Sequence, residues 1–263
     1  MLVLDYDSEA ACYDATRGGE ARARASARAV ETLLPGSAAV VADVACGTGS
    51  VTALLRRPGR LVVGVDRSRS MARVAASRLD GAAVLGEATR LPLPDSSVDA
   101  VTMIWLLHLL DRPTSAAVLA EAARVLRPGG VLITTVDKND ALYAVGGDAA
   151  ALVRPLRDAH APVQADAYAW VSEVAAGLGL VAAGRTSFAG TGQGRSPKAW
   201  RESLAASANG WPGAAPPAEL ERLDALLAAL PEQERPRADP VYRLIALSSA
   251  HRKPVRAGRP AAP

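Results

Sequence analysis

Asp43, Gly47, Gly49 and Asp66 stand at spacings that suit the grip of a nucleoside. In Asp43-Val44-Ala45-Cys46-Gly47-Thr48-Gly49 an acid precedes a Gly-x-Gly turn, where missing side chains let a ligand approach the backbone closely. Taken alone, Gly-x-Gly is an ordinary strand-to-helix turn. Asp66, about 20 residues further on, adds a carboxylate that can accept from ribose hydroxyls, and it equally suits a helix cap for the segment from Ser68. A dinucleotide fingerprint would want a third glycine where Thr52 stands. Asp43 would repel a pyrophosphate and attract an ammonium. The chemistry these residues favour is the binding of a nucleoside that carries no phosphates.

Such a turn works at the carboxyl end of a strand in a parallel sheet. The apolar, β-branched run 39–44 reads as that strand and 51–55 as the helix after the turn. The alternation continues with a strand at 61–65, a helix at 70–79, strands at 83–85 and 99–105, a helix at 116–126 and a strand at 131–136. Next come a helix at 165–177, a strand at 180–188 and a last strand at 241–247. This pattern predicts a doubly wound α/β fold with a seven-stranded, mainly parallel sheet. Residues 1–36 read as an N-terminal helical cap, broken at Gly18-Gly19 and stopped by Pro35-Gly36. The main domain then covers 37–248. Within it, 189–239 reads as a helical insertion before the last strand, with helices near 198–208 and 218–230, placed to cover a substrate. The basic tail 249–263 is expected to be disordered.

Bulk composition narrows the partners. A chain of 263 residues, 49% of them hydrophobic, can bury a large core without disulfide or metal staples. The net charge of +3 is small, much of it in the tail, and aromatics make up only 4%. Both features disfavour a nucleic-acid partner, which would want a basic stripe with stacking rings. No apolar run of about 18 residues occurs and the N-terminus carries acids where a secretory signal needs cations, so neither membrane insertion nor export is expected. Two cysteines, Cys12 and Cys46, fit a reducing cytoplasm. No metal set is recognised, and the oligomeric state is open.

Several motifs in order now carry a resemblance: Val41 to Gly49; Val63-Gly64-Val65-Asp66-Arg67-Ser68-Arg69-Ser70-Met71; Gly86-Glu87-Ala88-Thr89-Arg90-Leu91-Pro92; Ser97 to Val101; and Arg124 to Gly130. Over residues 39–137 the chain resembles the class I S-adenosylmethionine-dependent methyltransferases, with their Rossmann-like fold, in the branch of quinone-biosynthesis and natural-product enzymes. The resemblance implies S-adenosyl-L-methionine as cofactor. It places Ala45, Gly47 and Gly49 against the methionine and ribose, Asp43 at the amino group, and Asp66 at the ribose. Arg67 and Met71 would pack at the adenine. Glu87, standing where Asp is commoner in the family, would accept from the adenine amino group, with the Ala88 N–H donating to the ring. Ile104 and Trp105 complete the cofactor wall, and the Trp105 face would favour a sulfonium.

At the reacting end, His108 in Met103-Ile104-Trp105-Leu106-Leu107-His108-Leu109 is the candidate general base. Leu109 replaces a second His common in similar enzymes. Tyr6-Asp7 and Tyr13-Asp14 recur seven residues apart, which puts both tyrosines on one helical face. Similar enzymes close such a helix over the cofactor; this implies Tyr13 and Arg17 at the methionine carboxylate and Tyr6 in the acceptor pocket. The expected activity is O- or N-methylation of a small, specialised metabolite. The alternatives are C-methylation in quinone biosynthesis, which the scarcity of aromatics in 139–239 disfavours, and a protein that keeps the fold without transferring methyl groups.

Overall fold

The computed structural model describes residues 5–206 and 210–249. Seven strands, β1 (Val40–Val44), β2 (Leu61–Asp66), β3 (Ala83–Leu85), β4 (Val98–Met103), β5 (Leu126–Val136), β6 (Leu180–Ala189) and β7 (Val241–Ser249), form one sheet in the order β3-β2-β1-β4-β5-β7-β6. The first five pair in parallel, and β7 inserts antiparallel between β5 and β6. The strand order reverses at β1, where chain direction leads β2 one way and β4 the other. A crevice opens there at the strand carboxyl ends.

The helices are α1 (Tyr6–Glu9), α2 (Tyr13–Thr16), α3 (Gly19–Glu31), α4 (Ser50–Leu54), α5 (Arg69–Arg78), α6 (Arg112–Val125), α7 (Ala141–Ala144), α8 (Asp148–His160), α9 (Tyr168–Gly177), α10 (Pro197–Ala206), α11 (Trp211–Ala214) and α12 (Pro217–Ala228). One sheet face packs Val44, Val65, Val101 and Leu132 against Leu119 and Ala122 of α6 and Val171 and Ala175 of α9. The other packs Val41, Val62, Ile133 and Leu244 against Ala27 and Val30 of α3. Burial on both faces explains why these strands read as unbroken apolar runs.

The structure redraws three expectations. The helix expected from residue 165 starts at Tyr168, because Asp166 Oδ2 accepts the Lys138 N–H (2.8 Å) and Asp137 Oδ1 accepts the Tyr168 N–H (3.0 Å), clasping 137–138 to 166–168. The strand expected to run through Trp105 stops at Met103; Trp105 is left-handed (φ 66°), its N–H held by Thr135 Oγ1 at 3.1 Å. The helices outside the sheet layers also extend beyond 189–239, and no residue of 139–239 lines the cavity at the strand ends. Helices α7 and α8, which the sequence reading left unassigned, join α10 to α12 in one separate cluster built on Ala149, Val153, Trp200, Trp211, Leu223 and Leu227.

The segment between β6 and β7 is clipped at its base. Asp239 accepts the N–H groups of Gly192 and Gly194, and the Gly190 N–H reaches Pro240 O at 2.7 Å. A Cβ on Gly194 would stand 2.0 Å from Arg237 O, so only glycine lets the two strands of the clip meet. Ser249 ends β7, and the remainder of the expected disordered tail lies outside the described residues.

Candidate active site

A cavity of about 730 Å³ opens at the carboxyl ends of β1, β2 and β4. Asp43, Ala45, Gly47, Asp66, Arg67, Met71, Glu87, Ala88, Ile104, Trp105 and His108 line it, and the N-terminal segment brings Tyr6, Tyr13 and Arg17 to the same wall. These residues come from five stretches of chain, and the sheet register is what assembles them. Asp43 of β1 sits opposite Gly64 of β2 on one side and Thr102 of β4 on the other.

Asp43 is nearly inaccessible, and its two oxygens accept from Thr52 Oγ1 (2.5 Å) and Thr102 Oγ1 (2.7 Å). Burial pushes its carboxyl up from 3.8 to about 6, against the pull of those two hydrogen bonds, with the neighbouring Asp66 charge adding to the rise. The folded, ligand-free protein thus binds the proton more tightly than the unfolded chain does. The stability from this group is complete below pH 3.8 and is lost as pH rises through about 6. In Asp43→Asn that loss, at most about 3 kcal/mol, is expected to vanish. Urea unfolding of both proteins from pH 4 to 7 checks this; parallel pH curves would mean that Asp43 ionises normally.

Asp66 shapes the turn. Its Oδ2 accepts the Gly47 N–H (2.8 Å) and its Oδ1 accepts the Ser68 N–H (2.9 Å), while Ser68 Oγ caps α5 at the Met71 N–H. Burial raises the Asp66 pKa, and these backbone donors oppose the rise. Ala45, Gly47 and Gly49 are all left-handed, with φ of 57°, 57° and 75°. Trp105 and Asp137, beyond the ends of β4 and β5, share that conformation. Of the non-glycine residues in this conformation, Ala45 and Trp105 line the cavity.

Two placements differ from the sequence reading. Gly49 does not line the cavity; a Cβ there would lie 3.1 Å from Ala75, so this glycine lets α4 approach α5. Tyr6 and Tyr13 lie on two short helices rather than one, their rings 6.2 Å apart. What fixes these helices is the aspartate beside each tyrosine. Asp7 accepts from Ser68 Oγ (2.6 Å) and the Ser70 N–H (2.8 Å), and Asp14 from Thr48 Oγ1 (2.6 Å) and Arg78 Nη2 (2.6 Å). Tyr6 therefore enters from the Asp66 side of the cavity. Arg17 pairs with Glu9 at 3.2 Å.

Sequence reasoning missed Arg22, Ser26 and Lys138, all of which line the cavity. The Arg22 guanidinium lies 4.1 Å from the Trp105 ring centroid, so it takes the face that the sequence reading offered to a sulfonium. The other aromatic contacts of Trp105 are edge-on, to Tyr242 at 4.6 Å and Phe188 at 5.7 Å. Buried and without partners are Arg22 Nε, Ser26 Oγ and His108 Nδ1. Three orphaned polar atoms around one cavity suit a polar ligand. Burial, with Lys138 and Arg22 nearby, holds His108 well below the usual imidazole pKa, so the ring is neutral at pH 7.

An open, doubly wound sheet whose first strand ends in a left-handed glycine turn, with carboxylates at adjacent strand ends, defines a nucleoside-binding α/β protein of the Rossmann type. Residues 42–134 match the family model described as a methyltransferase domain, over the same stretch in which the motifs resemble the class I S-adenosylmethionine-dependent methyltransferases. An uncharacterized methyltransferase of Mycobacterium bovis is 43% identical over 105 residues, covering 40% of this chain and 42% of its own length. A ubiquinone/menaquinone biosynthesis C-methyltransferase of Desulfotalea psychrophila is 39% identical over 117 residues, covering 41% and 46%. The chain spans under half the length of these curated relatives. Among solved structures, a chain of the complex between the Haloferax volcanii Trm112 methyltransferase activator and a methyltransferase superposes with a TM-score of 0.58 at 20% identity, covering 95% of this chain and all of that one. At that identity the likeness shows the fold.

Proposed function

We propose that the protein is an S-adenosylmethionine-dependent methyltransferase that modifies an oxygen or nitrogen of a small molecule. The observation that carries this reading is the convergence of Asp43, the Gly47 turn, Asp66 and the unpartnered His108 Nδ1 on one cavity. The residues fit the cofactor's parts. Asp43 would hold the ammonium, with Arg17 and Tyr13 at the carboxylate; Asp66 would accept from the ribose, and Met71 and Glu87 would flank the base. When bound, the cofactor supplies a methyl group activated on sulfur for direct displacement by an acceptor lone pair.

The protein's own contribution is positioning, exclusion of water and management of one proton. Holding two reactants in attack geometry supplies up to about 7–11 kcal/mol. His108 Nδ1 takes the proton that a hydroxyl or ammonium acceptor loses. In His108→Gln turnover is expected to fall about a hundredfold while the affinity for S-adenosylhomocysteine stays at the wild-type value. The acid limb of the wild-type pH–rate profile should lie below pH 6.5, because the imidazole pKa is depressed. An unchanged turnover and profile in the variant would return His108 to the scaffold.

Transfer to carbon is the second reading, favoured by the Desulfotalea psychrophila relative. The cluster of α7, α8 and α10 to α12 argues against it: Tyr143 packs on Trp200 and Trp211, and none of the three lines the cavity, which leaves no flat aromatic slot from that side. No helix among the described residues is long and apolar enough to cross a membrane. The free thiols of Cys12 and Cys46 fit a reducing compartment, where we place the protein. Calorimetric titration with S-adenosylmethionine and S-adenosylhomocysteine tests the whole proposal. Saturable binding of both supports it and warrants a screen of small hydroxyl and amine compounds for a one-methyl mass gain; binding of neither overturns it.

A further inference from the structure

The cavity has two chemically different ends. Around β1 and β2 it presents the carboxylates of Asp43 and Asp66. From α3 and beyond β5 it presents the cations of Arg22 and Lys138, while Asp111, which follows β4, also lines it. Lys138 follows β5, two strands from β1 in the order β1-β4-β5, which puts its backbone about 10 Å from the Asp43 strand. Arg22 reaches the same end from α3 and is fixed there by stacking on Trp105 and by donating from Nη1 to Arg17 O at 2.8 Å.

Neither cation is neutralised. Among the described residues no carboxylate pairs with Arg22 or Lys138, whereas Arg17 has Glu9. Arg22 Nε is buried without an acceptor. The single contact of Lys138 Nζ is Asn139 Oδ1, at a long 3.4 Å. Asp166, an opposing charge that acts on Lys138, gives Oδ2 to the Lys138 backbone N–H and makes no hydrogen bond through Oδ1, and its own carboxyl is pushed up by burial. Burial and the Arg22 charge bring Lys138 down from 10.5 to about 8, so it remains mostly protonated at pH 7. Two half-buried, unpaired cations beside a neutral His108 are costly in the free protein, and an anion between them would relieve that cost. The cavity also has apolar lining, with Ile104 packed beside Trp105, and Leu106 and Val118 on the α6 side.

We propose that Lys138 and Arg22 form a subsite for the carboxylate or phosphate group of an anionic small-molecule acceptor, whose apolar body lies along Ile104, beside the Trp105 that Arg22 stacks on. The acceptor role of this anion rests on the methyltransferase reading; the anion site itself does not. The arrangement also explains the orphaned Arg22 Nε, which an incoming oxyanion would satisfy.

Calorimetry on the full chain tests the subsite, with benzoate, phenyl phosphate and benzamide as probes, each with and without saturating S-adenosylhomocysteine. At least one of the two anions is expected to bind about tenfold or more tightly than the neutral amide, and the stronger of them identifies carboxylate or phosphate as the preferred group. Lys138→Met should erase that preference, Lys138→Arg should retain it, and both should keep the wild-type affinity for S-adenosylhomocysteine, which also reports that they fold. Equal binding of anions and amide by the wild-type protein overturns the proposal. A loss of S-adenosylhomocysteine affinity in Lys138→Met, rescued by Lys138→Arg, overturns it too, because the cation would then serve the nucleoside ligand. Failure of S-adenosylhomocysteine to bind at all, with anion selectivity intact, would remove the methyltransferase reading and leave the anion site standing.

Discussion

Asp66→Ala is expected to lower the affinity for S-adenosylhomocysteine about a hundredfold or more and to destabilise the ligand-free protein by about 2–4 kcal/mol. The carboxylate does two jobs at once. Toward the ligand it offers the acceptor proposed for the ribose; toward the protein it holds the Gly47 and Ser68 N–H groups that shape the turn after β1 and the start of α5. Alanine leaves both donors without that partner, at about 1–2 kcal/mol each, the lower part of the usual range because the Gly47 N–H is only part-buried beside the cavity. Asp66→Asn keeps one acceptor oxygen and should fall between wild type and alanine in both measurements. Calorimetric titration and thermal unfolding of the three proteins separate the two jobs. Unchanged affinity would place the ribose elsewhere, and unchanged stability would mean that the glycines alone set the turn.

The second large effect lies away from the cavity. Arg60, just before β2, buries a guanidinium that is 1% exposed between the end of α3 and the sheet. It donates to Ala38 O (3.3 Å) and Leu55 O (3.1 Å) and pairs with Glu31, while its Nη2 has no partner. A buried pair of this kind is costly to assemble and costlier to break, because the surviving charge has no compensation. Glu31→Ala should therefore lose about 3 kcal/mol, the low end of the usual range, since Glu31 is partly exposed. In a chain of this length that lowers Tm by about 6–12 °C. The double variant Glu31→Leu with Arg60→Met should recover most of the loss, and neither protein should change its affinity for S-adenosylhomocysteine while folded. If Glu31→Ala melts like the wild type, the carbonyl partners alone suffice for Arg60.

How much of this was legible in the chain follows from how local each signal is. The strands β1, β2, β4 and β5 were readable because a strand buried on both faces must be an apolar, β-branched run. The turn after β1 was readable because its left-handed backbone (φ 57°) favours glycine at Gly47. Helix α8 was not, since Pro155 lies inside it and its apolar positions face the cap rather than the sheet. The seven-residue recurrence of Tyr-Asp points in sequence to its tyrosines, yet Asp7 and Asp14 do the anchoring, to Ser68, Ser70, Thr48 and Arg78, residues far along the chain. Gly49 looked equivalent to Gly47 in sequence, and only packing distinguishes a glycine that faces a cavity from one that faces Ala75.

By itself the sequence determined the fold class and the glycine-turn end of the cavity with Asp43 and Asp66, because both depend on short-range constraints: side-chain periodicity, a turn conformation, and an acid at the end of a strand. The tertiary structure alone decided the other end. Arg22 on a helix rich in arginine and Lys138 in a polar loop read as solvated charges, and nothing nearby in the chain says otherwise. They become unpaired and half-buried only when α3 crosses the end of β4 and β5 delivers its loop beside it, since whether a charge meets water, a partner or a ligand is settled by contacts between segments more than 100 residues apart.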